Sequence, residues 1–276
     1  VAFFVIRSVK MKQPIGVFDS GVGGLSVWKE IAALLPNEDI VYFADNANCP
    51  YGPKSQKEVI ELSDAIVRFF ISKNVKLVVV ACNTATAASI DYLRANYELP
   101  FVGMEPAVKP AAILTKTKCV GILATAGTLG GKLFKATTER YASDIKVVKQ
   151  VGTGLVELVE SGNQYSKKAE ELLEKYVLPM IKKGADHIVL GCTHYPFFRP
   201  LVDRIAGEGV TIIDPAPAVA RRVNDILEDQ HLKALDDDAP KYHFYSSGAS
   251  STMKTLLEEV LHVDTSKAVL EENVVL

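Results

Sequence analysis

A chain of 276 residues that is 48% hydrophobic and 23% charged, with a formal net charge of −2, has the balance of an ordinary globular protein able to bury a full core. Acidic and basic residues are interspersed, so no basic stripe points to nucleic acid and no polybasic cluster points to a membrane surface. The four cysteines, Cys49, Cys82, Cys119 and Cys192, form no C-x-x-C pair, which argues against a zinc site, a dithiol redox motif or a secreted disulfide framework. No metal is expected, and a reducing cytoplasm is the natural setting.

Residues 1–10 open with an apolar run too short for a signal-peptide core or a membrane span, and we expect them to be an extension ahead of Met11. From Ile15 apolar runs alternate with amphipathic stretches. A strand at 15–18 leads into the glycine-rich turn Asp19-Ser20-Gly21-Val22-Gly23-Gly24, then a helix at 25–35 stopped by Pro36. A strand at 40–44, a loop carrying Cys49-Pro50-Tyr51-Gly52-Pro53, a helix capped by Ser55 and running to about 73, and a strand at 77–81 follow. The helix after Cys82 runs to about 96, with another strand at 101–103. The pattern then restarts: Cys119 to Thr128 parallels the first strand and turn, a short strand sits at 145–148, helices at 154–160 and 166–183, and a strand at 187–191. A short apolar run at 212–213, a helix at 217–228, a solvated acidic loop at 236–238, a strand at 241–248 and a helix at 252–261 complete the chain.

Strands and helices alternating at this spacing predict an α/β fold of two similar α/β domains with mainly parallel sheets and an active site in the cleft between them. The expected first domain is discontinuous, 11–104 plus 214–276, and the second covers 105–213. Cys82 follows Asp19 by 63 positions (82 − 19) and Cys192 follows Thr125 by 67 (192 − 125), the mark of two related units.

In each unit an apolar strand stops at a small residue and a cysteine, and polar residues able to cap a helix follow: Ala81-Cys82-Asn83-Thr84 and Gly191-Cys192-Thr193-His194. A helix N-terminus favours a thiolate there. Two thiols facing each other across one substrate supply what inversion at carbon needs, a base on one face and an acid on the other. Asp19 is placed to serve Cys82 and His194 to serve Cys192, while Ser20, Asn83, Thr84, Thr125, Thr128 and Thr193 are candidates to hold carboxylates.

The turn Asp19 to Ser26, Pro50-Tyr51-Gly52, and the two cysteine motifs through Tyr195-Pro196 together resemble the aspartate/glutamate racemase family, in the family's order and over most of the chain. The resemblance implies cofactor-independent interconversion of L- and D-glutamate, supplying D-glutamate for peptidoglycan, in a homodimer. It also implies that Cys82 is the base for the D-enantiomer and Cys192 for the L-enantiomer, assisted by Asp19 and His194. Glu160 matches an acidic residue on the histidine side. Asp19, Ser20, Pro50, Tyr51, Gly52, Asn83, Thr84, Thr193 and His194 would line the substrate site, with Thr125 and Thr128 approaching the side-chain carboxylate. Cys49 stands where an aliphatic residue is expected, either a packing residue or a third reactive thiol.

Four other readings compete. The glycine-rich turn resembles a phosphate cradle but lacks a P-loop lysine and the full dinucleotide fingerprint. A related racemase for aspartate would differ in pocket length beyond the α-carbon. A two-lobed binding protein would not need paired cysteines. A pyridoxal-phosphate enzyme would need a Schiff-base lysine and a phosphate loop, and none is evident.

Overall fold

A computed structural model describes residues 12–234 and 239–276. The expected extension at 1–10 and the acidic run at 236–238 lie outside the described residues.

The first half of the chain gives β1 (Ile15–Asp19), α1 (Leu25–Leu34), β2 (Ile40–Ala44), α2 (Gln56–Ser72), β3 (Leu77–Val80), α3 (Asn83–Asn96), β4 (Phe101–Gly103) and α4 (Val108–Leu114). Then come β5 (Cys119–Ala124), α5 (Ala126–Gly130), α6 (Lys132–Tyr141), β6 (Lys146–Val151), α7 (Leu155–Glu160) and α8 (Lys167–Lys182). The remainder is β7 (His187–Gly191), α9 (Arg199–Ala206), β8 (Thr211–Ile213), α10 (Ala216–Asp229), β9 (Tyr242–Ser246), α11 (Ser251–Thr255) and β10 (Ala268–Glu271).

Two sheets result, one of six strands in the order β10-β9-β2-β1-β3-β4 and one of four in the order β6-β5-β7-β8. Their strand pairs are parallel. The α/β class with mainly parallel sheets is therefore as the sequence predicts. Every residue of β1, β2, β3, β5 and β7 is buried. That double-sided burial is why these strands are continuous apolar runs rather than alternating ones. The order β2-β1-β3-β4 in one sheet repeats as β6-β5-β7-β8 in the other, which gives the matched cysteine spacings a structural meaning. The first sheet is extended by β9 on β2 and β10 on β9, so the end of the chain returns to it.

Local chemistry fixes the element ends. Ser55 Oγ accepts from the Glu58 N–H and the Glu58 carboxylate accepts from the Ser55 N–H, a reciprocal capping box that starts α2. Several segments were not expected from sequence. Helices α4, α5 and α6 and the edge strand β10 bury little: α6 buries only Phe134, and β10 is nowhere fully buried, while α9 is amphipathic, with Leu201, Val202 and Ala206 buried, but short. Among the described residues no helix is long and apolar enough to cross a membrane.

One charged pair lies inside the first half. Lys76 Nζ reaches Glu38 Oε2 at 2.5 Å and the Leu232 carbonyl at 2.7 Å, with side-chain exposures of 5% and 3% for Lys76 and Glu38. Removing one partner leaves the other charge buried and unpaired, which costs far more than the pair itself contributes. Lys76→Met is expected to lower unfolding free energy by about 3–5 kcal/mol. Urea titration of this variant beside Lys76→Met/Glu38→Leu checks it, and the double variant should recover most of the loss.

Candidate active site

In an open parallel sheet, ligands gather beyond the carboxyl ends of the strands where the chain leaves in opposite directions. Here β1 lies between β2 and β3, and β5 between β6 and β7, so each sheet has one such crevice. Asp19 ends β1, and Cys82 comes two residues after β3. Thr125 follows β5 directly, as Cys192 follows β7. A small cavity is lined from both sheets by Ser20, Pro50, Tyr51, Gly52, Cys82, Asn83, Thr84, Thr125, Val156, Cys192, Thr193 and His194. Both cysteines thus face one small space, each 5% exposed. Val156, on α7, is an apolar wall residue that nothing in the sequence singled out.

On the first side, Cys82 is the N-cap of α3 and its Sγ accepts from the Ala85 N–H at 3.4 Å. Its Sγ also lies 3.7 Å from Ser20 Oγ. Burial, and then the nearby Asp19 charge, push this thiol well up, outweighing the helix N–H. The thiolate preference expected from the helix N-terminus alone is corrected here: in the closed site Cys82 is a thiol. Asp19 is fully buried, accepts from the Gly24 N–H at 2.9 Å, and has Thr193 Oγ1 at 3.4 Å from both oxygens. Burial raises its carboxyl above the usual range, which makes it a better proton acceptor for the sulfur it contacts.

On the second side, the chain after β7 turns through Cys192-Thr193-His194 into a 3-10 turn, Tyr195–Phe198, before α9. Cys192 therefore does not cap an α-helix, contrary to expectation: the 3-10 turn intervenes and α9 starts only at Arg199. His194 takes the place of the helix: its Nδ1 lies 3.8 Å from Cys192 Sγ, and its Nε2 lies 2.6 Å from Glu160 Oε1. Burial alone would lower the imidazole's pKa, but hydrogen bonds to Cys192, Cys49 and Glu160 carry it well above the ordinary histidine value. A protonated imidazole is thus a positive charge beside Cys192. Glu160 Oε1 also accepts from the Val22 N–H at 2.8 Å, tying α7 to the turn after β1.

That turn needs its glycines because the second half presses against it. A Cβ on Gly23 would lie 2.2 Å from His194 Nδ1, and one on Gly21 would lie 1.9 Å from Glu160 Oε1. The same contacts dispose of the phosphate-cradle reading: the Val22 and Gly24 N–H groups are spent on Glu160 and Asp19.

Between the two sulfur sides the wall is polar. Thr84, Thr125 and Thr128 form a chain of hydroxyls at 2.9 Å steps, linking α3 to the N-terminus of α5. Neither the oxygen nor the nitrogen of the buried Asn83 carboxamide has a hydrogen-bond partner. Buried amides are almost always paired, so this one is set for a ligand. Tyr51 is oriented by donating to Asp45 Oδ2 at 2.5 Å. Asp19, Glu160 and Thr128 do not line the cavity: Asp19 stands behind Cys82, Glu160 behind His194, and Thr128 faces an adjoining recess with Asn83 and Glu105.

All four cysteines are free thiols. Cys119 starts β5, the end of the strand opposite Thr125, and contacts the Lys183 carbonyl at 3.4 Å. Its sulfur packs and takes no part in the site. Cys49 is half-buried beside His194, and burial pushes its thiol up to about 11. With Glu160 and His194 it makes the group of metal-ligand spacing among the described residues.

Two α/β halves with a pair of cysteines facing one cavity suit a racemase, and the Asp/Glu/Hydantoin racemase family model matches residues 15–223; the chain belongs to that family. Within it the chain is similar to glutamate racemases. That of Herpetosiphon aurantiacus is 51% identical over 215 residues, covering 78% of this chain and 85% of the relative. The crystal structure of a Bacillus anthracis glutamate racemase isoform superposes with a TM-score of 0.84 at 33% identity, covering 94% of this chain and 96% of that one. Escherichia coli glutamate racemase, solved with L-glutamate and the activator UDP-MurNAc-ala, gives 0.82 at 34% identity, covering 96% and 99%.

Proposed function

We propose that this chain interconverts L- and D-glutamate without a cofactor, by two-base proton transfer between Cys82 and Cys192, and so supplies D-glutamate for peptidoglycan. The observation that carries this reading is a single small cavity lined by both thiols, one from each sheet, with Asp19 behind one and the His194–Glu160 pair beside the other. L-Glutamate meets Cys192, whose proton-accepting form is balanced by the His194 imidazolium, on one face and the Cys82 thiol on the other. Abstraction by Cys192 and donation by Cys82 invert the centre. Asp19, its proton affinity raised by burial, then takes or returns the proton of Cys82 for the reverse direction. Exclusion of water strengthens the charge interactions inside the site.

Carboxylate recognition falls to the polar groups of the wall. Ser20, Thr193 and the orphan Asn83 carboxamide suit the α-carboxylate side, with Pro50, Tyr51 and Gly52 as the adjoining wall. The Thr84–Thr125–Thr128 hydroxyl chain suits the side-chain carboxylate, which favours glutamate over aspartate. Homodimer formation and a cytoplasmic setting, implied by the resemblance, belong to the same proposal.

Circular dichroism of purified protein with either glutamate enantiomer tests it. Ellipticity should decay to zero from both sides, without added pyridoxal phosphate and without the same decay for aspartate. Persistence of the glutamate signal under these conditions would overturn the assignment.

A further inference from the structure

Beside the second sulfur, the His194–Glu160 pair is joined by a thiol that the racemase chemistry does not use, Cys49. One imidazole nitrogen of His194, Sγ of Cys49 and a carboxylate oxygen of Glu160 all lie within 4.8 Å of one another. The set joins three distant stretches of chain: the loop after β2, the end of α7, and the turn after β7. Cys49 Sγ lies beside the imidazole, and Glu160 Oε1 is 2.6 Å from Nε2, so the ligand atoms already converge. His194 Nδ1 points away, toward Cys192 and Thr193 Oγ1, at 3.8 and 3.5 Å. A second nitrogen fixed in this way is how a metal-binding imidazole is held in orientation.

We propose that Cys49, Glu160 and His194 form an inhibitory Zn2+ site; the inhibition it produces rests on the racemase reading of the same histidine. One thiolate, one imidazole and one carboxylate is a borderline-soft donor set suited to Zn2+ and unsuited to Mg2+ or Ca2+, which prefer oxygen. Zinc bonds of about 2.0–2.3 Å in tetrahedral geometry set these atoms roughly 3.3–3.7 Å apart, so on binding the 2.6 Å Glu160–His194 contact opens and the wider separations close. Three protein ligands leave a fourth position for water. Cys49 is half-buried and Glu160 is 19% exposed, so the metal has an entry path that the deeper Cys82 and Cys192 lack. Binding releases the Cys49 thiol proton and the proton on the imidazole nitrogen facing Glu160. The ion then replaces the proton His194 shares with Glu160, fixes a charge beside Cys192 and stops proton exchange there.

The test uses chelator-treated full-length protein with Co2+ and Zn2+ alone as probes. Co2+ should give a thiolate-to-metal charge-transfer band without substrate, and one equivalent of Zn2+ should remove it. Glutamate racemisation should fall at micromolar Zn2+ and return with EDTA. Cys49→Val should still racemise glutamate in the absence of metal, lose the band and, relative to its own metal-free rate, need at least tenfold more Zn2+ for half-inhibition. Cys49→Ser should do the same if valine disturbs folding. A wild-type protein with no thiolate band would overturn the site, as would a Cys49 variant with unchanged band and zinc sensitivity. The band is read without turnover, so its absence speaks against the site, whereas inactive metal-free protein speaks against the racemase reading.

Discussion

Cys82→Ser and Cys192→Ser should each lower racemisation by about 10³-fold or more in both directions, within the range that removing a positioned acid or base produces. A serine hydroxyl is too weak an acid and, as the alkoxide, too costly a base in a buried site to replace a thiol. The fold should survive, because each sulfur is small and its neighbours remain paired: the Ala85 N–H can donate to a serine oxygen at the N-cap as readily as to sulfur. The two variants should not be equivalent in detail. Cys82 is a thiol in the resting site, and its use as a base depends on Asp19 accepting its proton. Cys192 has the His194 imidazolium beside it from the start. Asp19→Asn is therefore expected to lower kcat for D-glutamate more than kcat for L-glutamate, while kcat/KM, tied by an equilibrium constant of one, falls equally in the two directions. Initial rates from each enantiomer check this.

Gly23→Ala should lower kcat by about 10²-fold although residue 23 bears no functional group. Its Cβ would stand 2.2 Å from His194 Nδ1, 2.5 Å from Cε1 and 2.7 Å from Cγ. The imidazole must retreat by more than an ångström, taking it off Cys192 or off Glu160. Displacements of about 1 Å cost on the order of 10²-fold in rate. Gly130→Ala is the control, since a Cβ there meets nothing within 4 Å. It should leave kcat unchanged and, in a helical position, hold or slightly raise stability. Steady-state kinetics with both variants, each checked by thermal melt, separates misplacement of His194 from loss of fold.

The legible part of the molecule was its buried repeat. Strands β1, β2, β3 and β7 are unbroken apolar runs because helices cover both faces, and a run of that kind survives without any periodicity to read. The two cysteines at the carboxyl ends of β3 and β7 were visible for the same reason. Helix α6 was not, because a mostly exposed helix with a single buried Phe134 has almost no apolar stripe. Nor was α5, whose sequence Ala-Gly-Thr-Leu-Gly has no helix-forming pattern. In the site, local spacing placed Asp19 near Cys82 and His194 near Cys192, but the protonation states depend on burial. Sequence favoured a Cys82 thiolate, while desolvation keeps it a thiol. The Glu160–His194 contact joins residues 34 positions apart in sequence, and the Gly21 and Gly23 approaches join opposite halves of the chain. Only the family resemblance pointed to Glu160, and nothing local marked Cys49 as its neighbour.

The central claim is that two sulfurs act on opposite faces of one carbon, and hydrogen exchange at that carbon in heavy water tests it most directly. Wild-type protein should place deuterium at the α-carbon of the product from either enantiomer. Cys82→Ser should exchange the α-hydrogen of L-glutamate without making D-glutamate, and Cys192→Ser should do the converse. If either variant exchanges both enantiomers, or racemises at the parental rate, a single base is at work and the two-thiol account is wrong.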